Sequence, residues 1–449
     1  MKSIKPFLVV GILFVIGLLG YNYLASDKVV ERNEKSMSIV EREVEMPRLD
    51  LKHDKKDLYN EDMSIVGKWN AIALEMIAGT RLNPPEASRF LGILHIAIFE
   101  AVNSIEKKYE PYDTYLFVED EVLYNEDVVI ASAAKSVIDH FYPNFALLTA
   151  EEIAKMNAED QNAQALGMAS AAQIIARRSN DGSFGSAQYD IKDEAGMWQA
   201  TPPYFESPLL PHWGSVETFI EKSSEFYVTP PSPITSKTYA KEFNEVKEIG
   251  EAHSNTRTED QSEIAKFWAD GKGTYTPPGH WNVIMHQVMN ENQSLSLIEE
   301  ARCFAILNIA MADAGIQTWK AKFDYEYWRP IDGIRKASRD NNVETQPSEK
   351  WFNYIETPNF PEYPSGHSAF SGAGSSVLAD ILGDDQSFET YSLGLPNVYR
   401  TFDSFEQAAD EAGMSRIYGG IHFQKANTEG LRVGRKIGEY VVKNVMQEI

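Results

Sequence analysis

Apolar positions recur at intervals of three and four along most of this 449-residue chain, the spacing that lines one face of an α-helix. That rhythm predicts helices over Ile65 to Ile77, Pro85 to Ser104, Asp127 to Phe141, Thr149 to Arg178, Lys237 to Ala252, Ser262 to Ala269 and Trp281 to Lys322. It continues over Gly366 to Leu382, Ser404 to Gly413 and Gln424 to Val445. Alternation of period two is rare, and Glu110 to Phe117 is the stretch that reads as strand. Proline-marked loops at Thr201 to Leu210, Thr229 to Pro233 and Thr274 to Gly279 separate helices and are long enough to roof a site. The expected class is all-α.

Before residue 61 the pattern changes. Lys2 and Lys5 precede an uninterrupted apolar or glycine run, Phe7 to Gly20, which Tyr21 to Ala25 extends toward the ~20 residues of a bilayer span. Residues 1–26 are therefore expected to be an export signal or an uncleaved membrane anchor, with the folded part extracytoplasmic, either periplasmic or secreted. Residues 27–60 are dense in Glu, Lys, Asp and Arg and read as a polar spacer. Residues 61–449 are long enough for one large helical catalytic domain, and a composition 43% hydrophobic and 11% aromatic can fill its core. The single cysteine, Cys303, sits in an apolar helical run and reads as core, so no intrachain disulfide can form. A formal net charge of -24 argues against a nucleic-acid partner, whose phosphates would be repelled.

Against that acidic background three short segments stand out. Tyr363-Pro364-Ser365-Gly366-His367-Ser368 leads directly into the apolar run Ala369 to Leu382. Ser365, Gly366 and His367 therefore belong at a helix start, where unpaired N–H groups favour an anion; alone, the motif is equally a plain helix cap. Upstream, Lys322 and Arg329 are seven apart, within about 20° of each other if both lie on one helix, so that one face would present both. An exposed face paired with Asp324 or Glu326 is the other reading. Downstream, Arg416 and His422 are six apart and would diverge on a straight helix, but Gly419-Gly420 between them offers a break that turns both inward. Two guanidinium forks, an ammonium, a hydroxyl and helix-start N–H groups suit a tetrahedral oxyanion. An imidazole beside it titrates where proton transfer is useful.

Other residues take plainer readings. His95 falls on an apolar helix and is expected in the core, while Asp270 is expected to cap or stabilise its loop. His280, after Pro277-Pro278-Gly279 and beside Trp281, is a candidate for the pocket mouth. The aromatic stretch Trp198 to Phe219 reads as roof packing. Neither paired cysteines nor a His-Glu-x-x-His pattern points to zinc.

Taken in order, Lys322-(six residues)-Arg329-Pro330, Pro364-Ser365-Gly366-His367 and Ser415-Arg416-(five residues)-His422 resemble the oxyanion site shared by the vanadium-dependent haloperoxidases and the type 2 phosphatidic acid phosphatases. Trp319 to Pro330 and Phe360 to Pro364 look like the haloperoxidase branch, and Thr276 to Asn282 looks like its bacterial members. The resemblance runs roughly from Phe267 to Gly434. It implies helical bundles around one vanadate, held by Lys322, Arg329, Ser365, Gly366, His367, Arg416 and His422. Within that set, His422 would bond vanadium, His367 would act as acid and base, and Lys322 would polarise the oxidant. Trp319 and Phe360 would line the pocket. The implied substrates are hydrogen peroxide and a halide, iodide or bromide being easier to oxidise than chloride, with no haem or flavin. Two alternatives stand beside it: an extracytoplasmic acid phosphatase that hydrolyses phosphate monoesters through a phosphohistidine at His422, and an inactive membrane-tethered helical scaffold. The chain departs from the superfamily pattern at one place. Four residues after the downstream histidine, where an orienting Asp is common, it has Ala426 with Asn427 next, and the sequence does not identify what orients His422.

Overall fold

A computed structural model describes residues 63–119, 121–156, 159–292 and 295–449, all within one unit. The signal or anchor segment and the polar spacer lie outside them. The described chain is helical, as its periodicity predicts, apart from one short hairpin.

The first bundle begins with α1, Ile65–Thr80, whose N-terminus is closed by the Ser64 hydroxyl accepting the Gly67 N–H at 2.9 Å. The second helix, α2 (Pro84–Glu106), starts with proline in its first turn and the Asn83–Glu86 capping box. Almost every residue from Pro85 to Ser104 is buried, which makes α2 a central helix. Helices α3 (Glu126–Phe141), α4 (Ala146–Ala154) and α5 (Gln161–Arg178) follow, with α3 and α5 packed together and against α2. His95 is buried on α2 with its Nε2 3.1 Å from Asn70 Oδ1 and its ring stacked on Phe304, a core histidine as expected.

Next come α6 (Lys237–Ile249), α7 (Glu259–Phe267), α8 (Thr276–Asn292) and the 29-residue α9 (Leu297–Tyr325). Helix α9 is buried around most of its circumference, Cys303 included, and it packs on α2 as well as on the later helices α11 (Gly366–Leu382) and α13 (Gln424–Asn444). It is the element both halves share. A short α10 (Pro330–Arg335) precedes α11, and α12 (Phe405–Tyr418) precedes α13.

The tightest pairing in the second half is α11 against α13, and glycine permits it. Gly430, Gly434 and Gly438 recur every fourth residue on α13. A Cβ at Gly434 would stand 2.1 Å from the Ala369 carbonyl oxygen, and one at Gly430 would stand 2.6 Å from that of Ser365. Backbone therefore rests on backbone at the first turn of α11, where the motif residues sit.

Several expected elements differ. The span Thr149 to Arg178 is two helices, because Asp160 caps a new start by accepting the Ala163 N–H at 2.9 Å. Trp281 to Lys322 is likewise two, divided before the capping box of Ser296 and Glu299. The proline-marked loop Thr274 to Gly279 is mostly the first turn of α8, a place that tolerates proline. Glu110 to Phe117 forms no strand; the adjacent Tyr109 makes an isolated bridge with Glu448. The strands that do form, β1 (Phe388–Tyr391) and β2 (Tyr399–Phe402), pair antiparallel in the register Phe388 to Phe402 and Tyr391 to Tyr399. At four residues each they are too short to show a clear alternation.

Candidate active site

Arg329 and His422 meet directly: Arg329 Nη1 is 3.1 Å from His422 Nε2. The expectation that Lys322 and Arg329 share one helical face is not met. Helix α9 ends at Tyr325 with Glu326 left-handed at φ 50, and Arg329 is the extended residue before Pro330, φ -77 and ψ 154, at the start of α10. Proline disfavours helical backbone in the residue before it, so the continuous helix is interrupted there. Both side chains nevertheless reach the same place from different elements. Arg416, in the last turn of α12, and His422 are turned toward it by the break at Gly419-Gly420, as expected, with Gly420 at φ +77.

The first turn of α11 supplies the rest. Ser365 is its cap, accepting the Ser368 N–H at 3.3 Å, while its own N–H donates to the Ala426 carbonyl at 3.1 Å. The N–H groups of Gly366 and His367 stand in the first turn, where no earlier helical carbonyl is available to them. Beside them, Trp319 and Phe360 make an apolar wall. Their rings are 4.9 Å apart, Gly366 leaves the space in front of Trp319, and the Phe360 ring lies 5.0 Å from Lys322 Nζ and 4.9 Å from Arg329 Cζ.

Three cations are buried together with little to neutralise them. Lys322 is fully buried, and its ammonium donates to the carbonyls of Pro361 at 3.0 Å, Glu362 at 3.1 Å and Pro364 at 2.5 Å. Burial first, and Arg329 second, hold its pKa well below the ordinary lysine range. Burial also lowers Arg329 to about 9 and Arg416 to about 10, with Arg416 adding to the effect on Arg329. Arg329 donates Nε–H to Phe360 O and Nη1–H to Ile421 O, both at 2.9 Å, and Arg416 donates to Trp268 O at 3.2 Å. Arg329 Nη2 and Arg416 Nε are buried without a partner. Unsatisfied guanidinium N–H groups in a buried cationic cluster are what a small oxyanion would satisfy.

The two histidines differ in their surroundings. His367 keeps some solvent contact, and its Nε2–H donates to Ala269 O at 3.2 Å, which leaves Nδ1 as the nitrogen able to take a proton. Burial, then Arg416, keep its pKa well below the usual value. His422 is buried and shifted the same way, by burial first and then by Arg329, Lys322 and Arg416.

Comparison with known proteins finds relatives of the same helical fold. Residues 302–449 match the family described as the VCPO second helical-bundle domain. The vanadium chloroperoxidase of Curvularia inaequalis is 24% identical, over 72% of this chain and 66% of that protein, so the match spans just under two thirds of the relative's length. The crystal structure described as the first bacterial vanadium-dependent iodoperoxidase superposes with a TM-score of 0.76 at 26% identity, covering 87% of this chain and 99% of that one. Over most of its length this chain is similar to vanadium-dependent haloperoxidases. A holo-type bacterial vanadium-dependent chloroperoxidase shares the fold, with a TM-score of 0.65 at 15% identity over 88% of this chain and 98% of that one.

Within this fold, the carboxyl group in contact with His422 Nδ1 is that of Glu362, which sequence reasoning did not single out. Its Oε1 lies 2.9 Å from His422 Nδ1 and accepts the Phe423 N–H at 2.8 Å. Burial pushes the Glu362 carboxyl up, against the opposing pull of the Phe423 N–H, Arg329 and Lys322. His280 occupies a different place from the one expected. It is buried, stacked on Trp268 at 4.7 Å, with Nδ1 3.1 Å from Asp270 Oδ2 and Nε2 3.5 Å from Thr390 Oγ1. Rather than standing at the pocket mouth, it braces the loop whose Trp268 and Ala269 carbonyls receive Arg416 and His367. Asp270 stabilises that loop, as expected, at φ 43. Arg302 and Arg335 donate to the backbone carbonyls of Met446 and Trp351, and Lys336 pairs with Asp332, so all three are structural.

Proposed function

We propose that this protein is a vanadate-dependent haloperoxidase that oxidises iodide or bromide, in preference to chloride, to hypohalous acid with hydrogen peroxide. The overall reaction consumes one halide, one peroxide and one proton and releases hypohalous acid and water. The observation that carries this reading is the buried cluster that contains Arg329 Nη2, Arg416 Nε and His422 Nε2. Its two guanidinium nitrogens are unpartnered, and the imidazole has its other nitrogen already engaged by Glu362. Among the described residues no cluster of three or more His, Cys, Asp or Glu could hold a metal cation. The donors present suit a metal that arrives with its own oxygens, and vanadate is such a group. The name of the iodoperoxidase that shares this fold supports iodide.

Arg329, Arg416, Ser365 and the N–H of Gly366 would hold the vanadate oxygens, and His422 Nε2 would meet the vanadium. Lys322 would add charge beside them, because its three N–H groups are spent on the Pro361, Glu362 and Pro364 carbonyls. When bound, vanadate supplies Lewis-acid activation of peroxide while staying in its +5 state. The chain's own residues do the remaining work. His367 moves protons at Nδ1, because Nε2 is committed to Ala269. Lys322 would add positive charge beside the bound anion. Trp319 and Phe360 form a wall that excludes water from one side.

A phosphatase reading is favoured by one observation: Glu362 provides the carboxylate behind His422 that Ala426 fails to provide, which is the arrangement a histidine nucleophile needs. A single comparison decides. Protein loaded with orthovanadate is assayed for peroxide-dependent oxidation of iodide and bromide, and metal-free protein for p-nitrophenyl phosphate hydrolysis. Vanadate-dependent halide oxidation is the expected result. Hydrolysis inhibited by vanadate, without halide oxidation, would select the phosphatase, and neither activity would select an inactive scaffold.

A further inference from the structure

We propose that Glu362 is a positioning residue that fixes the tautomer of His422, replacing from the loop before α11 a carboxylate that position 426 lacks. The assignment rests on the oxyanion reading of the site given above. Ala426 is fully buried, carries only a methyl group, and spends its carbonyl on the Ser365 N–H. No acid can act on His422 from there. Glu362 arrives instead from the loop that leads into α11, three residues before Ser365.

The loop holds that carboxylate in place. The Glu362 N–H donates to Tyr327 O at 2.9 Å, and the ammonium of Lys322 gathers the carbonyls of Pro361, Glu362 and Pro364. Both ends of the residue's backbone are thus tied to the stretch that also carries Arg329. Its Oε1 receives two N–H groups: the Phe423 backbone N–H at 2.8 Å and His422 Nδ1 at 2.9 Å. A backbone N–H can only donate, so Oε1 accepts from Phe423; when the carboxyl is ionised it accepts from His422 as well, which puts the proton of a neutral His422 on Nδ1. The lone pair is left on Nε2, 3.1 Å from the donor Nη1 of Arg329. A carboxylate also makes that lone pair a better ligand than a neutral amide would.

This role separates two anions. Vanadate held by a bond from Nε2 needs a basic imidazole. Inorganic phosphate held by hydrogen bonds and charge does not, and it gains from losing a nearby negative group. In Glu362→Gln, compared with the wild type at a pH where the wild-type carboxyl is ionised, the amide oxygen stays pinned by the Phe423 N–H, so the shape and the tautomer persist while the charge goes. Orthovanadate affinity should fall about 10-fold or more, whereas phosphate affinity should hold or rise. Equal loss of both anions would mean a merely structural residue, and unchanged vanadate affinity would also overturn the proposal. Ring nitrogen-15 shifts of His422 in the anion-free protein give a second measurement. Protonated Nδ1 is expected in the wild type and in Glu362→Gln, and its loss in Glu362→Leu; an Nε2–H tautomer in the wild type, or a Leu variant that keeps Nδ1–H, contradicts it. Should Glu362→Leu fail to fold, the vanadate-to-phosphate ratio in Glu362→Gln decides. A wild type that binds neither anion would refute the oxyanion reading, and the nitrogen-15 result would still decide what holds His422.

Discussion

His422 and His367 lie in one site but should fail differently when removed. His422→Ala deletes the nitrogen that faces Arg329 and should abolish retention of vanadate through gel filtration. His367→Ala deletes the group with a free Nδ1 at the open side and should leave vanadate bound while slowing halide oxidation by about 100-fold or more. Equal retention in both variants would refute the division of roles. The five charged or titratable members of the cluster were legible in the sequence because each sits in a short segment with its own spacing or helix-start chemistry. Glu362 was not. Its bond to His422 crosses sixty residues of chain, an acid between two prolines carries no periodic signal, and the usual position for such an acid, 426, pointed elsewhere. His280 misled for the opposite reason: a histidine after a turn reads as accessible, and only packing shows it stacked on Trp268 and bonded to Asp270.

At the scale of elements, the site depends on how closely α11 approaches α13. Gly434→Ala would set a methyl group against the Ala369 carbonyl and push the two helices apart. Overpacking of this kind costs about 1–3 kcal/mol, so the urea midpoint should fall, and inorganic phosphate affinity should fall with it, because the displaced turn carries Ser365 and Gly366. Lower stability with unchanged phosphate binding would show that the cradle does not depend on this contact. The periodicity located most helices, since a long amphipathic or fully apolar run is a strong signal. It failed where a local cap outweighs it, at Asp160 and Ser296, and where the chain turns left-handed at Glu326 and becomes extended at Arg329 before Pro330, inside the run implied by the spacing of Lys322 and Arg329. The β1–β2 hairpin was missed because two four-residue strands are specified mainly by their cross-strand partners, such as Phe388 and Phe402.

The whole molecule stores several buried acids besides those of the site. Burial raises Glu100, Glu242 and Asp313 each to about 7. In the unfolded chain the same groups titrate near 4. Between those values the folded protein holds protons that the unfolded chain has released, so stability is highest below pH ~4 for these groups and is lost as pH rises through about 7. Urea unfolding at pH 5 and pH 8 should show this decline, and Glu100→Gln, which keeps an acceptor for the Tyr112 N–H, should flatten it by up to one proton. An unchanged slope in that variant would remove Glu100 from the account.

The central claim is that Lys322, Arg329, His367, Arg416 and His422 enclose one oxyanion. A crystal structure of the full chain soaked in orthovanadate tests it most directly. The account predicts a single vanadium bonded to His422 Nε2, with Arg329 Nη2 and Arg416 Nε donating to its oxygens. Vanadium bound elsewhere, or a soaked crystal with those two guanidinium nitrogens still without an anion, would contradict it.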